Sequence, residues 1–146
     1  MFDFFIYTGG RRSEVLNLTW QDITDEYIIF RNTKNKKERK VPIPDPLKKI
    51  IKQMRGDKKI TKIGRIFPDY DKDYVSRKFK KYFKKAGFPE IRLHDLRHTY
   101  ASLLIMNGVD IYTVRELLGH SGISVTQIYA QLNDTHLKNA IKKIDF

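Results

Sequence analysis

One stretch of the chain, residues 93–108, constrains the fold more than any other. Wound as a helix, it has apolar side chains around most of its circumference: Leu93, Leu96, Tyr100, Ala101, Leu103, Leu104, Ile105 and Met106. A helix that is apolar nearly all round belongs in a core rather than on a surface. Asn107 and Gly108 follow it, and such residues commonly end a helix. The stretch therefore predicts a central helix buried on nearly every side.

The first turn of this helix nevertheless carries polar and charged residues. His94 and Arg97 are three positions apart and share a face, whereas Asp95 does not. A guanidinium keeps its proton, so a buried arginine needs an anionic partner. We infer an external anion, a phosphate, although a polar pair bonded to the backbone is the alternative. His98 is expected to be a structural histidine.

The positive charge of the chain is concentrated in one region. The 146 residues include 29 Lys and Arg against 17 Asp and Glu, a net charge of +12. Residues 31–88 hold 21 of these basic residues and 6 of the acidic ones, or +15. Such a concentration is typical of a protein that binds a polyanion, and the alternative is an ordinary lysine-rich surface.

Composition also excludes several classes. The chain has no cysteine, so neither disulfides nor thiolate metal sites are expected. Its apolar runs are too short for a membrane span, and Phe2–Tyr7 lacks the basic flank of a secretory signal. These features predict a cytoplasmic protein with no membrane partner, formed by residues 1–146 as a single domain.

The order of helix and strand signals predicts an α+β fold that is mainly α-helical. Phe2–Tyr7 would end a helix at the turn Thr8-Gly9-Gly10, and Ser13 would cap a short helix after it. A small antiparallel β-hairpin is expected near residues 27–43. Helices are expected over residues 45–55, 71–86, 111–118 and 125–130 and in a terminal stripe of Leu137, Ile141 and Ile144. The helix over residues 71–86 has an apolar stripe of Val75, Phe79, Tyr82, Phe83 and Ala86, and Asp110 would cap the helix over residues 111–118.

Basic residues occupy the tip of the hairpin and the polar side of the helix over residues 71–86. A charged hairpin tip suits a DNA groove or phosphate, but it equally protects a sheet edge from aggregation. The residues that we expect to contact DNA are Lys36, Lys37, Arg39, Arg77, Lys78 and Lys81.

Phosphodiester chemistry fits the remaining candidates. The transition state of phosphoryl transfer gains negative charge on its non-bridging oxygens, and arginine forks match that charge. A hydroxyl nucleophile and a general acid complete such a site. Separate elements offer these groups: Arg11, Lys34, His94, Arg97, His120 and Tyr129.

The order of the motifs resembles the tyrosine recombinase (phage integrase) family. The segments that carry the resemblance are Thr8-Gly9-Gly10-Arg11-Arg12-Ser13-Glu14, His94-Asp95-Leu96-Arg97-His98, Leu117-Leu118-Gly119-His120-Ser121 and Thr126-Gln127-Ile128-Tyr129. Leu18–Ile23 and Glu38–Pro42 also fit, so the resemblance covers essentially the whole chain. One motif alone is weak evidence, whereas four in order are specific.

The resemblance implies a role for each candidate. Arg11 and Arg97 would clamp the scissile phosphate of double-stranded DNA, and Tyr129 would attack it to form a 3′-phosphotyrosyl intermediate. Lys34 would protonate the leaving 5′-oxygen, although Lys36 and Lys37 are close alternatives. His94 and His120 would hydrogen-bond the phosphate or assist proton transfer.

The resemblance also implies the assembly around that site. No metal or nucleotide cofactor is expected. The family works as a homotetramer on paired DNA sites, in which the terminal helix docks on a neighbouring subunit. Here that helix has self-packing as an equal alternative, and a monomer is the alternative state for the isolated domain.

Two departures from the family pattern carry expectations of their own. Gly10 replaces a larger apolar residue, which predicts a looser setting for Arg11. Relatives usually carry an N-terminal DNA-binding domain, whereas nothing precedes Met1 and the first helix is short. The chain is therefore expected to be a catalytic domain lacking that partner domain.

Three other functions compete with this interpretation. His94, His98 and His120 imitate a zinc-ligand set, but Asp95 replaces the glutamate base of such hydrolases, and Arg97 would repel the metal. The chain could serve only as a DNA-binding module with an unassembled site. It could also relax DNA as a type IB topoisomerase does, by the same chemistry.

Overall fold

The computed structural model describes residues 1–31, 38–56 and 63–119. Within these ranges the chain is mainly helical with one two-stranded antiparallel sheet, as the sequence predicts. The helices are α1 (Phe2–Thr8), α2 (Arg12–Asn17), α3 (Asp45–Arg55), α4 (Lys72–Lys85), α5 (Asp95–Met106) and α6 (Ile111–Leu118). A 3₁₀ turn spans Trp20–Asp22, and the strands are β1 (Tyr27–Phe30) and β2 (Arg39–Pro42).

The hairpin pairs Ile28 with Val41 and Phe30 with Arg39. Alternation along a strand sends successive side chains to opposite faces, and Ile28, Phe30, Val41 and Arg39 all lie on the buried face. Three of these side chains are apolar and enter the core. The fourth, Arg39, carries a charge into the interior.

Aromatic packing joins the N-terminal helix to the amphipathic helix α4. Phe5 of α1 meets Phe79 of α4 edge to face, with ring centroids 5.5 Å apart. Val75 and Phe79 are buried, as the apolar stripe predicts, but Tyr82 is 63% exposed. Asp71 caps α4 by accepting a hydrogen bond from the Tyr74 amide at 2.7 Å.

The central helix α5 packs against α1 and α6, but it is not buried all round. Leu96, Ala101 and Ile105 face the core, whereas Leu103 is 52% and Met106 is 63% exposed. The prediction of burial on nearly every side was therefore wrong for this helix. Periodicity shows how much apolar surface a helix has, not how many neighbours the fold provides to cover it.

Two predicted helix starts have different outcomes. Asp110 caps α6 as predicted, because its carboxylate accepts the amides of Tyr112 and Thr113 at 2.9 Å. The start of α2 corrects a prediction: the helix begins at Arg12, so Ser13 lies inside its first turn rather than at the cap. The predicted helices over residues 125–130 and at the terminus lie outside the described residues.

Candidate active site

Arg11 is held by a tightly packed turn between α1 and α2. Gly9 ends α1 in the left-handed conformation, with φ of 58°. A Cβ atom on Gly10 would lie 2.7 Å from Cγ2 of Val15 and 3.1 Å from Cζ of Phe30. There is no room for the larger apolar residue of the family pattern, so the expected looser setting of Arg11 is corrected. A glycine here lets the turn pack directly on the core.

Arg11 and Arg39 share the carboxylate of Glu14. Nη1 of Arg11 lies 2.8 Å from one oxygen of Glu14, and Nη2 of Arg39 lies 2.7 Å from the other. The backbone amide of Arg11 also donates to Glu14 at 2.8 Å. Burial acts to raise the pKa of Glu14, but the Arg39 charge and the Arg11 hydrogen bonds outweigh it, so that pKa is lowered. Glu14 is therefore a carboxylate anion near neutral pH.

Arg97 is buried at the centre of the molecule, where backbone oxygens orient it. Its side chain donates to the carbonyl of Gly9 at 2.6 Å and to the carbonyl of Leu118 at 2.5 Å. Nη2 of Arg11 donates to the next carbonyl, Gly119, at 3.3 Å. Both arginines thus bind the C-terminal end of α6, where carbonyl groups lack helical partners and carry partial negative charge.

His94 stands at the beginning of α5, next to a second imidazole. The rings of His94 and His98 meet edge to face with centroids 5.1 Å apart. Partial desolvation lowers the pKa of His94, and the neighbouring His98 and Arg97 lower it further. The neutral form, which can both donate and accept a hydrogen bond, is therefore favoured near pH 7.

Arg11, His94 and Arg97 line one cavity of about 790 Å³. The structure therefore brings these three candidates to one cavity, with Arg11 paired to Glu14 and Arg97 bound to backbone carbonyls. The same cavity has a wider basic lining: Lys80, one of the lysines expected on the polar side of α4, and Arg12, Lys72 and Arg92, which sequence reasoning missed. Lys72, Ser76 and Lys80 lie four residues apart on α4, and that spacing was the available signal for a shared face.

The α4 wall is connected to the turn that carries Arg11. Arg12 donates to the hydroxyl of Ser76 at 2.5 Å and to the carbonyl of Lys72 at 3.3 Å. The cavity is therefore bounded on one side by α2 and α4, and on another by the start of α5. Its lining includes several cationic side chains.

The DNA contacts expected from sequence divide into three groups. Arg39 is a correction: it is only 6% exposed and is paired with Glu14, so the fold removes it from the DNA-contact set. Arg77, Lys78 and Lys81 are exposed on α4 but are absent from the cavity lining among the described residues. The remaining candidates lie outside the described residues: Lys34, Lys36, Lys37, His120 and Tyr129.

Two features of other protein classes are absent from the described ranges. Residues 1–31, 38–56 and 63–119 contain no group of three or more His, Cys, Asp or Glu side chains placed to hold a metal ion. The same part of the chain has no helix long and apolar enough to cross a membrane.

The fold is a mainly helical α+β domain, and two arginines and a histidine line its cavity. The family model for the phage integrase family matches residues 1–136. The chain therefore belongs to the phage integrase family, as its motifs indicated.

Curated relatives agree with this assignment. The tyrosine recombinase XerA of Pyrococcus furiosus is 35% identical over 145 residues, a match that covers 93% of this chain and 50% of XerA. The integrase of Haemophilus phage HP1 is 37% identical over 136 residues, covering 92% of this chain and 37% of the integrase. The chain thus spans about half or less of the length of these relatives.

Solved structures show the same fold. The catalytic domain of bacteriophage HP1 integrase superposes with a TM-score of 0.76 at 36% identity, covering 97% of this chain and 79% of that one. The crystal structure of XerA recombinase superposes with a TM-score of 0.74 at 28% identity, covering 99% of this chain and 56% of that one.

Proposed function

We propose that this chain is the catalytic domain of a tyrosine-type site-specific DNA recombinase. The observation that carries the proposal is the common cavity of Arg11, His94 and Arg97 in a member of the phage integrase family. The substrate would be a phosphodiester of double-stranded DNA. Solved relatives support that substrate class: XerH recombinase, 24% identical with a TM-score of 0.73, was crystallised on its difH DNA as a post-cleavage complex.

The two arginines would stabilise the charge that develops on the scissile phosphate. Arg97 is positioned by the carbonyls of Gly9 and Leu118, which orient the fork without adding a full negative charge. Arg11 is positioned by Glu14 and Gly119. Donors fixed before the reaction need no reorganisation when charge develops, which is the main source of electrostatic catalysis.

Tyr129 would be the nucleophile. Its hydroxyl oxygen would bond to phosphorus while the bond from phosphorus to the 5′-oxygen breaks, leaving a 3′-phosphotyrosyl ester. Lys34 would give the leaving oxygen its proton, with Lys36 and Lys37 as the alternatives on the same hairpin tip. Because the ester conserves the phosphodiester bond energy, the reverse attack by a 5′-hydroxyl rejoins a strand without a nucleotide cofactor.

Neutral His94 would hydrogen-bond a non-bridging oxygen or move a proton at the cavity wall. Its lowered pKa keeps it able to accept a proton near pH 7. His120, which directly follows Gly119 in sequence, would hydrogen-bond the same phosphate or assist proton transfer. A homotetramer on paired DNA sites and a single domain over residues 1–146 belong to the same proposal.

Covalent capture tests the proposal without a known DNA site. The chain is incubated with nicked duplexes of randomised sequence, and DNA that stays attached to protein in SDS is recovered and sequenced. The expected result is an enriched sequence and an adduct that Tyr129→Phe abolishes, whereas Tyr112→Phe, on an exposed tyrosine of α6, retains it. Salt-sensitive binding with no adduct would instead leave a DNA-binding module. Relaxation of supercoiled plasmid without strand exchange would indicate topoisomerase-like activity.

A further inference from the structure

Arg39 pairs with Glu14 and lies close to Gly119, and these are the two residues that hold Arg11. The Arg39 side chain is only 5% exposed, and its Nη2 lies 2.7 Å from Glu14. A Cβ atom on Gly119 would lie 3.1 Å from Cδ of Arg39, so the backbone of Gly119 rests directly on this side chain. Glu14 and Gly119 are also the two acceptors of the Arg11 guanidinium.

Burial of the Arg39 side chain costs folding free energy, which indicates that this residue has a role at this position. Nε and Nη1 of Arg39 are buried with no hydrogen-bond partner in the described part of the chain. The carbon of its guanidinium lies 4.6 Å from the centre of the Phe30 ring, on the apolar face of the hairpin. A buried cation with unsatisfied donors weakens a fold, so its presence at this position indicates a role other than stability. An apolar residue at this β2 position would continue the hairpin's buried face.

The charge of Glu14 indicates what that role is. One carboxylate bound to one guanidinium forms a neutral pair, and such a pair attracts an anion weakly. With two guanidinium groups on the same carboxylate, the cluster of Arg11, Glu14 and Arg39 keeps a net charge of about +1. Because Arg39 is buried while Arg11 lines the cavity, the positive charge that remains available to an anion is that of Arg11.

We propose that Arg39 is a positioning residue that balances the charge of Glu14, so that Arg11 is held in place yet keeps its positive charge for a phosphate in the cavity. The inference rests on the proposed function, in which Arg11 binds the scissile phosphate. It assigns Arg39 a structural and electrostatic role instead of contact with DNA.

An NMR titration with inorganic phosphate tests this role in the full chain. The arginine Nε–H signals are followed against sodium chloride at matched ionic strength, with the variants Arg39→Met, Arg39→Lys and Glu14→Gln/Arg39→Met. Arg31→Met is the matched control, because Arg31 pairs at 2.6 Å with the buried carboxylate of Asp22 outside the cavity lining.

The proposal expects Arg39→Met to weaken phosphate binding by about tenfold, the effect of one unit charge near a partly buried site. Arg39→Lys retains the charge and stays within about threefold of the unmodified chain. Adding Glu14→Gln to Arg39→Met restores most of the affinity, because the unbalanced carboxylate is gone. A role in stability alone would give no such rescue, and Arg31→Met stays near the unmodified affinity.

Three results overturn the inference. These are no phosphate binding by the unmodified chain, equal binding by Arg39→Met, and failure of the double variant to regain affinity. If Arg39→Met does not fold, Arg39→Gln takes its place, because it removes the charge but keeps a hydrogen-bonding side chain beside Glu14. Its phosphate affinity should fall in the same way and should be restored by adding Glu14→Gln. The titration needs neither Tyr129 nor DNA, so failure of covalent capture with retained phosphate binding would count against the proposed function and not against the role of Arg39.

Discussion

At the scale of single residues, each of the three cavity side chains is held by a different kind of group. Arg97 donates to carbonyl oxygens, and Arg11 donates to a carboxylate and a carbonyl. His94 packs against the imidazole of His98. Full charges and neutral groups therefore lie side by side. Of these three side chains, His94 is the one whose protonation state changes most readily with pH.

The pKa of His94 gives a testable prediction. Desolvation and the adjacent His98 and Arg97 disfavour the imidazolium, so NMR titration should place the pKa of His94 below its ordinary value of 6.5. The unfolded chain then binds more protons below that value, so His94 lowers the free energy of unfolding as pH falls through 6.5. His94→Gln should flatten this acid-side decline.

His98→Asn serves as the control for the cause of the shift. It removes the second imidazole and should raise the pKa of His94 part of the way back. A His94 pKa at or above 6.5 in the unmodified chain would contradict the electrostatic environment described for the cavity.

At the scale of elements, the site depends on the junctions between helices. The turn after α1 places Arg11, the first turn of α5 places His94 and Arg97, and the end of α6 supplies carbonyls to both arginines. Gly9 lies against Tyr100 and Leu118, so these three elements meet at the turn itself. A small change in the turn is therefore transmitted to both arginines.

Gly10→Ala measures how tightly this junction is packed. The added methyl would lie 2.7 Å from Cγ2 of Val15, closer than real carbon contacts allow, so the turn or the core must shift. We expect urea unfolding to show a loss of about 1–3 kcal/mol in the free energy of unfolding. Asn17→Ala, an exposed position in α2, is the control and should stay within about 0.5 kcal/mol. Unchanged stability of Gly10→Ala would mean that the turn has room to spare.

At the scale of the whole molecule, the basic residues of the 31–88 region lie in three different environments. Arg39 is buried, Lys72 and Lys80 line the cavity, and Arg77, Lys78 and Lys81 are exposed elsewhere on α4. The two cavity lysines could bind phosphates next to the one held by Arg11 and Arg97, and the exposed trio retains its proposed role in DNA contact.

The salt dependence of DNA binding tests the cavity lysines. Each neutralised phosphate releases counterions, so the double variant Lys72→Gln/Lys80→Gln should reduce the slope of log affinity against log salt by about 1.8. Lys48→Gln/Lys49→Gln on α3 removes the same net charge and controls for long-range attraction. Fluorescence anisotropy from about 50 to 300 mM salt measures both. Equal slopes for the two variants would show that Lys72 and Lys80 do not contact the phosphate backbone of DNA.

The sequence by itself determined the elements and the family. Strand-forming residues on either side of a polar turn predicted β1 and β2, the apolar stripe predicted α4, and Asp110 predicted the start of α6, because these signals are local. Motif order predicted that Arg11, His94 and Arg97 belong to one site. Chain order, composition and spacing are sufficient for such conclusions.

Only the tertiary structure decided which charges face the cavity and which lie inside. Arg39 and Lys40 are adjacent basic residues in sequence, yet the hairpin buries Arg39 against Glu14, 25 residues away, and leaves Lys40 exposed. Arg97 finds its carbonyl partners in Gly9 and Leu118 because α1, α5 and α6 meet there. Burial and pairing depend on contacts between distant segments, and those contacts arise when the folded chain covers apolar surface, which local sequence does not specify.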